Sequence, residues 1–128
     1  MRENTIPNLS VHVVWSSQLG AEAHHAREAA ELMLGPGVRH YWDPEQRVGV
    51  ALQDRLGFPA GAELRDRGGR PTAAFDVWLL YAPGVEWAGA APPEATWWEH
   101  QLRVLDRPHP DRRLDPDRFA TKAAELAF

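Results

Sequence analysis

Short β-branched and aromatic runs alternate along the chain with stretches whose apolar positions recur at a period near 3.6. Val11 to Trp15 is a β-branched and aromatic run bounded by Asn8 and by Ser16-Ser17, which predicts a strand apolar on both faces. From Gln18 to Leu34 the residues Leu19, Ala23, Ala26, Ala30, Met33 and Leu34 recur at helical spacing, and Gly35-Pro36-Gly37 ends the helix. Val38 to Trp42 reads as a second strand. Asp43-Pro44-Glu45-Gln46 then opens a helix, with Asp as cap and Pro at its first position, that runs to about Leu56 and stops at Gly57.

Residues 57–74 hold six glycines and prolines and the charged run Glu63 to Arg70, and predict a surface loop. Phe75 to Tyr81 is the most apolar segment and predicts a third strand. Ala82-Pro83-Gly84-Val85 fits a type II turn, so Val85 to Trp87 is expected to return antiparallel. Pro92-Pro93 reads as the start of a helix in which Trp97, Gln101, Val104 and Leu105 lie along one stripe, with Trp98 and Leu102 along the next. After the polar, proline-broken stretch Arg107 to Arg113, Asp115-Pro116 opens a terminal helix carrying Phe119, Ala123 and Leu126.

The expected architecture is therefore α/β, in the order β-α-β-α-β-β-α plus a C-terminal helix. Two helical crossovers make the first three strands parallel and the tight turn makes the fourth antiparallel, giving a four-stranded mixed sheet inside a three-layer sandwich. Residues 1–106 are read as one domain. Residues 107–128 are a linker and a helix that packs either on that domain or on a partner chain.

Composition narrows the function. At 128 residues, 44% hydrophobic and 25% charged, the chain suits one globular domain. A net charge of −4 leaves no basic excess for a phosphate backbone, so nucleic acid is not an expected partner. No stretch approaches the roughly 18 apolar residues of a membrane span or forms a signal peptide, so membrane is not expected either and a cytoplasmic location is. Lys122 is the only lysine among 14 basic residues, and with abundant Ala, Gly and Pro this suggests a bacterial source. Cysteine is absent, which removes disulfides, thiolate metal sites and thiol nucleophiles together.

The order of elements resembles the thioredoxin-like fold from about Ser10 to Leu105. In that family an aromatic residue closes the first strand and a Cys-x-x-Cys follows. Here the matching run is Trp15-Ser16-Ser17-Gln18-Leu19, with Ser16 at the reactive and Leu19 at the resolving position. A helix N-terminus stabilises an anion by at most about 2 kcal/mol, enough for a thiolate and far too little for an alkoxide. The resemblance thus implies a member without redox activity. The family's cis-proline would correspond to Pro71, followed by Thr72.

Each candidate site has a plain structural alternative. Ser16 and Ser17 either cap the first helix or offer hydroxyls beside free amides that receive a carboxylate or phosphate. His24, His25 and Glu28 have spacings that permit a metal, but adjacent histidines diverge by about 100° on a helix, and a solvated polar face is the alternative. His12 and His40, inside strands, read as satisfied histidines. Asp76 is either the frayed start of its strand or a partly buried acid working with His12, His40 or His100. Six tryptophans suit a core, yet on a helix Trp97 and Trp98 cannot face the same way, and the outward one would meet a partner.

The expected function is that of a redox-inactive binding domain with no cofactor and no catalytic residue. It uses Trp15, Ser16, Ser17, Pro71, Thr72 and Asp76, gathered at the carboxyl ends of parallel strands, to hold a small molecule or a protein partner, a second copy included. The alternative is a metal-assisted or acid–base hydrolase built on His24, His25 and Glu28 or on Asp76.

Overall fold

The structure, a computed structural model, describes Ile6 and residues 8–17, 21–57, 64–65, 71–89 and 91–127. The chain divides into two compact units, Ser10–Phe75 and Asp76–Phe128, the second taking in the N-terminal residues to Leu9.

The first unit begins with strand β1 (Val11–Ser16), helix α1 (Ala23–Glu31), strand β2 (Val38–Asp43) and helix α2 (Arg47–Arg55). β1 and β2 pair in parallel with Val11 opposite Val38 and Trp15 opposite Trp42, the crossover expected from the sequence. Strands β3 (Leu64–Arg65) and β4 (Pro71–Thr72), described by their backbone alone, form a short antiparallel pair. Ala26, Leu52, Leu56, Ala73 and Ala74 are the buried apolar residues.

Both helices are shorter than their apolar stripes. α2 starts four residues after Asp43, because Pro44 and Glu45 form a turn and Gln46 takes a left-handed conformation at φ 56°. Asp43 still caps: its carboxylate accepts the Arg47 and Val48 amides, each at 2.9 Å. One turn on, Gly49 lets the 73–74 segment lie directly on α2. A Cβ at position 49 would collide with the Ala74 carbonyl oxygen and stand 3.0 Å from the Ala73 methyl.

The second unit contains strands β5 (Val77–Leu80) and β6 (Trp97–His100), 3-10 turns at Arg103–Leu105 and Pro110–Arg112, and helix α3 (Pro116–Leu126). The Ala82 to Val85 turn forms, with Val85 N–H on the Ala82 carbonyl at 3.3 Å and Gly84 at φ 84°. The chain after it does not return as a strand.

This overturns the thioredoxin-like sandwich. Among the described residues the strands pair two by two, β1 with β2, β3 with β4 and β5 with β6, and form no four-stranded mixed sheet. The reason lies at residues 97–100, read as helix from the stripe Trp97, Gln101, Val104. The same four residues, Trp97-Trp98-Glu99-His100, show no apolar–polar alternation, and they form a strand because β5 offers an antiparallel ladder from Val77–His100 to Leu80–Trp97. Trp97 therefore sits beside Glu99, whose carboxylate accepts its indole N–H at 3.0 Å, while Trp98 lies beside His100 on the other face, 5.9 Å between ring centres. Val85–Trp87 is left without a ladder.

Glu99 is fully buried and joins β6 to α3. Besides the Trp97 indole it accepts Arg118 Nε at 2.7 Å and the Asp115 N–H at 2.8 Å. Asp115 in turn caps α3 by accepting the Asp117 and Arg118 amides, as its sequence predicts. The C-terminal helix is thus anchored within its own chain. Arg112 and Lys122 stack on the Trp97 ring at 4.1 and 5.1 Å. Burial pushes the Glu99 carboxyl up, but its three hydrogen bonds and the Arg118 charge outweigh burial and hold it below its ordinary value.

Two measurements check this packing. Gly49→Ala is expected to lower stability by about 1–3 kcal/mol in urea unfolding, through overpacking against Ala73 and Ala74. Because the folded Glu99 pKa is depressed, its contribution is present above the unfolded carboxylate range and lost as pH falls through the folded value. Glu99→Gln is expected to be less stable than wild type at pH 7 and to show a flatter decline as pH falls below about 4.5.

Candidate functional site

The carboxyl end of the β1–β2 pair, where the sequence places the site, is a network of internal hydrogen bonds. The Trp15 indole donates to His40 Nδ1 at 3.0 Å, which leaves His40 Nε2 protonated to donate to the Met33 carbonyl at 3.0 Å. One relay so ties β1, β2 and the segment after α1, and His40 is the satisfied histidine expected. Ser17 does not cap α1: its hydroxyl donates to the Pro44 carbonyl at 2.7 Å and accepts from the Gln46 amide at 3.4 Å. The other end of Gln46 accepts the Ala73 N–H at 2.9 Å. Gln46, which sequence reading treated only as part of a helix start, thus bridges the β1 loop and the 73–74 segment.

Ser16 ends β1 and engages the rest of the chain. The N-terminus of α2 is filled by the Asp43 carboxylate, so an external anion would have to displace it. Pro71 and Thr72 form β4, and their side chains lie outside the described residues. So does Arg70, and with it the bond preceding Pro71. Asp76 belongs to the second unit.

Asp76 stands at φ 50°, immediately before β5, and its carbonyl accepts the Gln101 N–H at 3.0 Å. Desolvation raises its carboxyl above the ordinary value. That carboxylate has no hydrogen-bond or ion-pair partner among the described residues, and none of the histidines expected to work with it bonds to it. It marks a strand start with left-handed backbone.

The helix cluster does not converge either. His24 lies 3.4 Å from a Glu22 carboxylate oxygen, its ring is 3.9 Å from that of His25, and His25 Nδ1 accepts the Glu22 N–H at 3.0 Å. Among the described residues no group of three or more His, Asp or Glu side chains is arranged to hold a metal ion.

A constellation the sequence did not reveal lies on the outward face of β1 and β2. Ser10 Oγ is 3.1 Å from His12 Nε2, His12 Nδ1 is 3.1 Å from the Tyr41 hydroxyl, and the His12 and Tyr41 rings stack at 5.7 Å. The order hydroxyl, imidazole, orienting group is that of an activated nucleophile. The orienting group is a neutral phenol, however, and all three side chains are exposed, so no buried carboxylate stabilises an imidazolium here. Register alone carries the signal: Arg39 stands opposite His12 and Tyr41 opposite Val14.

No family model matches the chain, and no curated protein or solved structure matches it. No helix among the described residues is long and apolar enough to cross a membrane.

The backbone role of Asp76 is open to test. Asp76→Asn, which tolerates φ near 50°, is expected to leave the melting temperature within about 2 °C of wild type, whereas Asp76→Ala is expected to cost about 1 kcal/mol. Equal destabilisation by both would show that the charge matters instead.

Proposed function

We propose that this chain is a binding module without redox chemistry that takes a protein partner on the outward face of the β1–β2 pair. The observation that carries the reading is the composition of that face. His12, Val14, Arg39 and Tyr41 occupy alternate, cross-strand positions and all four are exposed, Val14 at 40% and Tyr41 at 45%. Tyr and Arg, both present in this patch, are residue types enriched at protein interfaces. Parallel strands ordinarily have both faces covered, and here the side chains of one face are exposed.

The remaining apolar surface of this unit supports the same reading, since Leu32, Leu34 and Val50 are 87%, 78% and 56% exposed. The strand-end residues Trp15 and Ser17 shape the unit from within, because their polar atoms bond to His40, Pro44 and Gln46. They hold the two strands in register beneath the binding face. Absence of cysteine removes thiol–disulfide exchange outright.

A benzophenone photocrosslinker placed at Val14 or Arg39 and activated in the producing cells tests the proposal. A discrete higher-mass adduct is expected from these positions and not from Glu28, an exposed control on α1. An adduct with a second copy would identify the partner as the chain itself. Adduct yields at positions 14 and 39 no higher than at position 28, in a chain that melts like wild type, would overturn it.

A further inference from the structure

Among the described residues the second unit buries two histidine nitrogens without a hydrogen-bond partner. His100, the last residue of β6, is fully buried. Its Nδ1 accepts the Leu102 N–H at 3.1 Å, which puts the neutral ring's proton on Nε2. That Nε2 lacks a hydrogen bond, as does the buried Nε2 of His109. Trp98 packs against both rings, 5.9 Å from His100 and 5.1 Å edge-on from His109.

The backbone gives this cluster leverage. His100 pairs with Val77 of β5 and bridges to Arg113, and its carbonyl accepts the Leu114 N–H at 2.9 Å. One residue therefore pins both ends of the connector 101–114, the start through its ring and the finish through its carbonyl.

We propose that His100 is a proton-operated clasp on the connector 101–114, closed at neutral pH and released by mild acid. A second proton makes Nδ1 a donor facing the Leu102 N–H, also a donor, so that bond must break. The new charge also finds no free counter-ion. Asp106, Arg113 and His109 are the charged and titratable groups facing the ring. Asp106 is committed to Arg113 at 3.2 Å, Arg113 and the His109 ring oppose a further positive charge, and the His109 backbone, which favours the charged ring, is outweighed by burial. Arg112 is held over the Trp98 ring at 5.3 Å. Glu99 points to the opposite face of β6, held by Arg118, and β5 presents only Val77 at this register.

Burial accordingly holds the ring below the ordinary histidine value. The unfolded chain takes the proton first, so the stability is complete above about pH 6.5 and falls as pH drops from there toward the folded value. The same hydrogen bond argues against a metal ligand. A metal on Nε2 would drive the ring proton to Nδ1, against the Leu102 N–H.

Urea unfolding of the full chain between pH 8 and 4.5, with hydrogen exchange at Leu102 and Leu114, tests the clasp. In wild type the folding constant is expected to fall by up to about tenfold per pH unit just below pH 6.5, with both amides exchanging faster in the same window. His100→Asn, whose side-chain oxygen replaces Nδ1 as acceptor without titrating, is expected to abolish that fall, whereas His109→Asn keeps it. A flat wild-type profile from pH 7 to 5, or the same fall in His100→Asn, would overturn the proposal. Should that variant fail to fold, NMR of the wild-type His100 ring decides: titration at the ordinary value with Leu102 still protected overturns the clasp, and a ring that charges only as Leu102 loses protection supports it.

Discussion

A buried carboxylate organises the second unit. Glu99 lies in a two-stranded ladder too small to exclude water by itself, and it is tolerable there because donors converge on it from three places: an indole on its own strand, the backbone at the cap of α3 and a guanidinium one turn into that helix. Those bonds make the terminal helix part of the unit. They also sort the faces of β6, sending Trp97 toward the cations of α3 and Trp98 toward the histidines.

The first unit uses the same device in neutral form. Gln46 gives up favourable backbone geometry, a left-handed residue costing about 1–2 kcal/mol, and its amide reaches two other segments. The Asp43 carboxylate, the Trp15–His40 relay and Gly49 complete a set of close contacts around small residues such as Ala26, Ala73 and Ala74. A core in which leucine appears only at Leu52 and Leu56 among the described residues, beside Ala26, Ala73 and Ala74, has little apolar area to bury, so polar bonds of this kind specify how the strands and helices meet.

The proposed function rests on what such small sheets leave exposed. A parallel pair covered on one face presents the other, and the side chains at its alternate positions become a surface of fixed geometry. A two-stranded antiparallel pair, by contrast, hides only what its connector folds across. In the second unit that connector is pinned at both ends by His100, and its attachment depends on which nitrogen carries a proton. The proposed binding face and the proposed clasp thus fall on different units and rest on different chemistry.

Local order was legible wherever a short-range rule acted alone. The β1–α1–β2 crossover follows from β-branched runs flanking a helical stripe, the α3 start from Asp115-Pro116, the turn at Pro83-Gly84 from its φ requirement, and the loss of thiol chemistry from the absence of cysteine. Tertiary structure decided the rest. Residues 97–100 continue a helical stripe and show no strand alternation, and only the ladder offered by β5 makes them a strand, which removes the mixed sheet and with it the thioredoxin-like arrangement. The outward face of His12, Val14, Arg39 and Tyr41 and the clasp at His100 were invisible for the same reason. Each consists of residues far apart in sequence whose meeting is fixed by register and burial, and a hydrophobic pattern along one chain encodes neither.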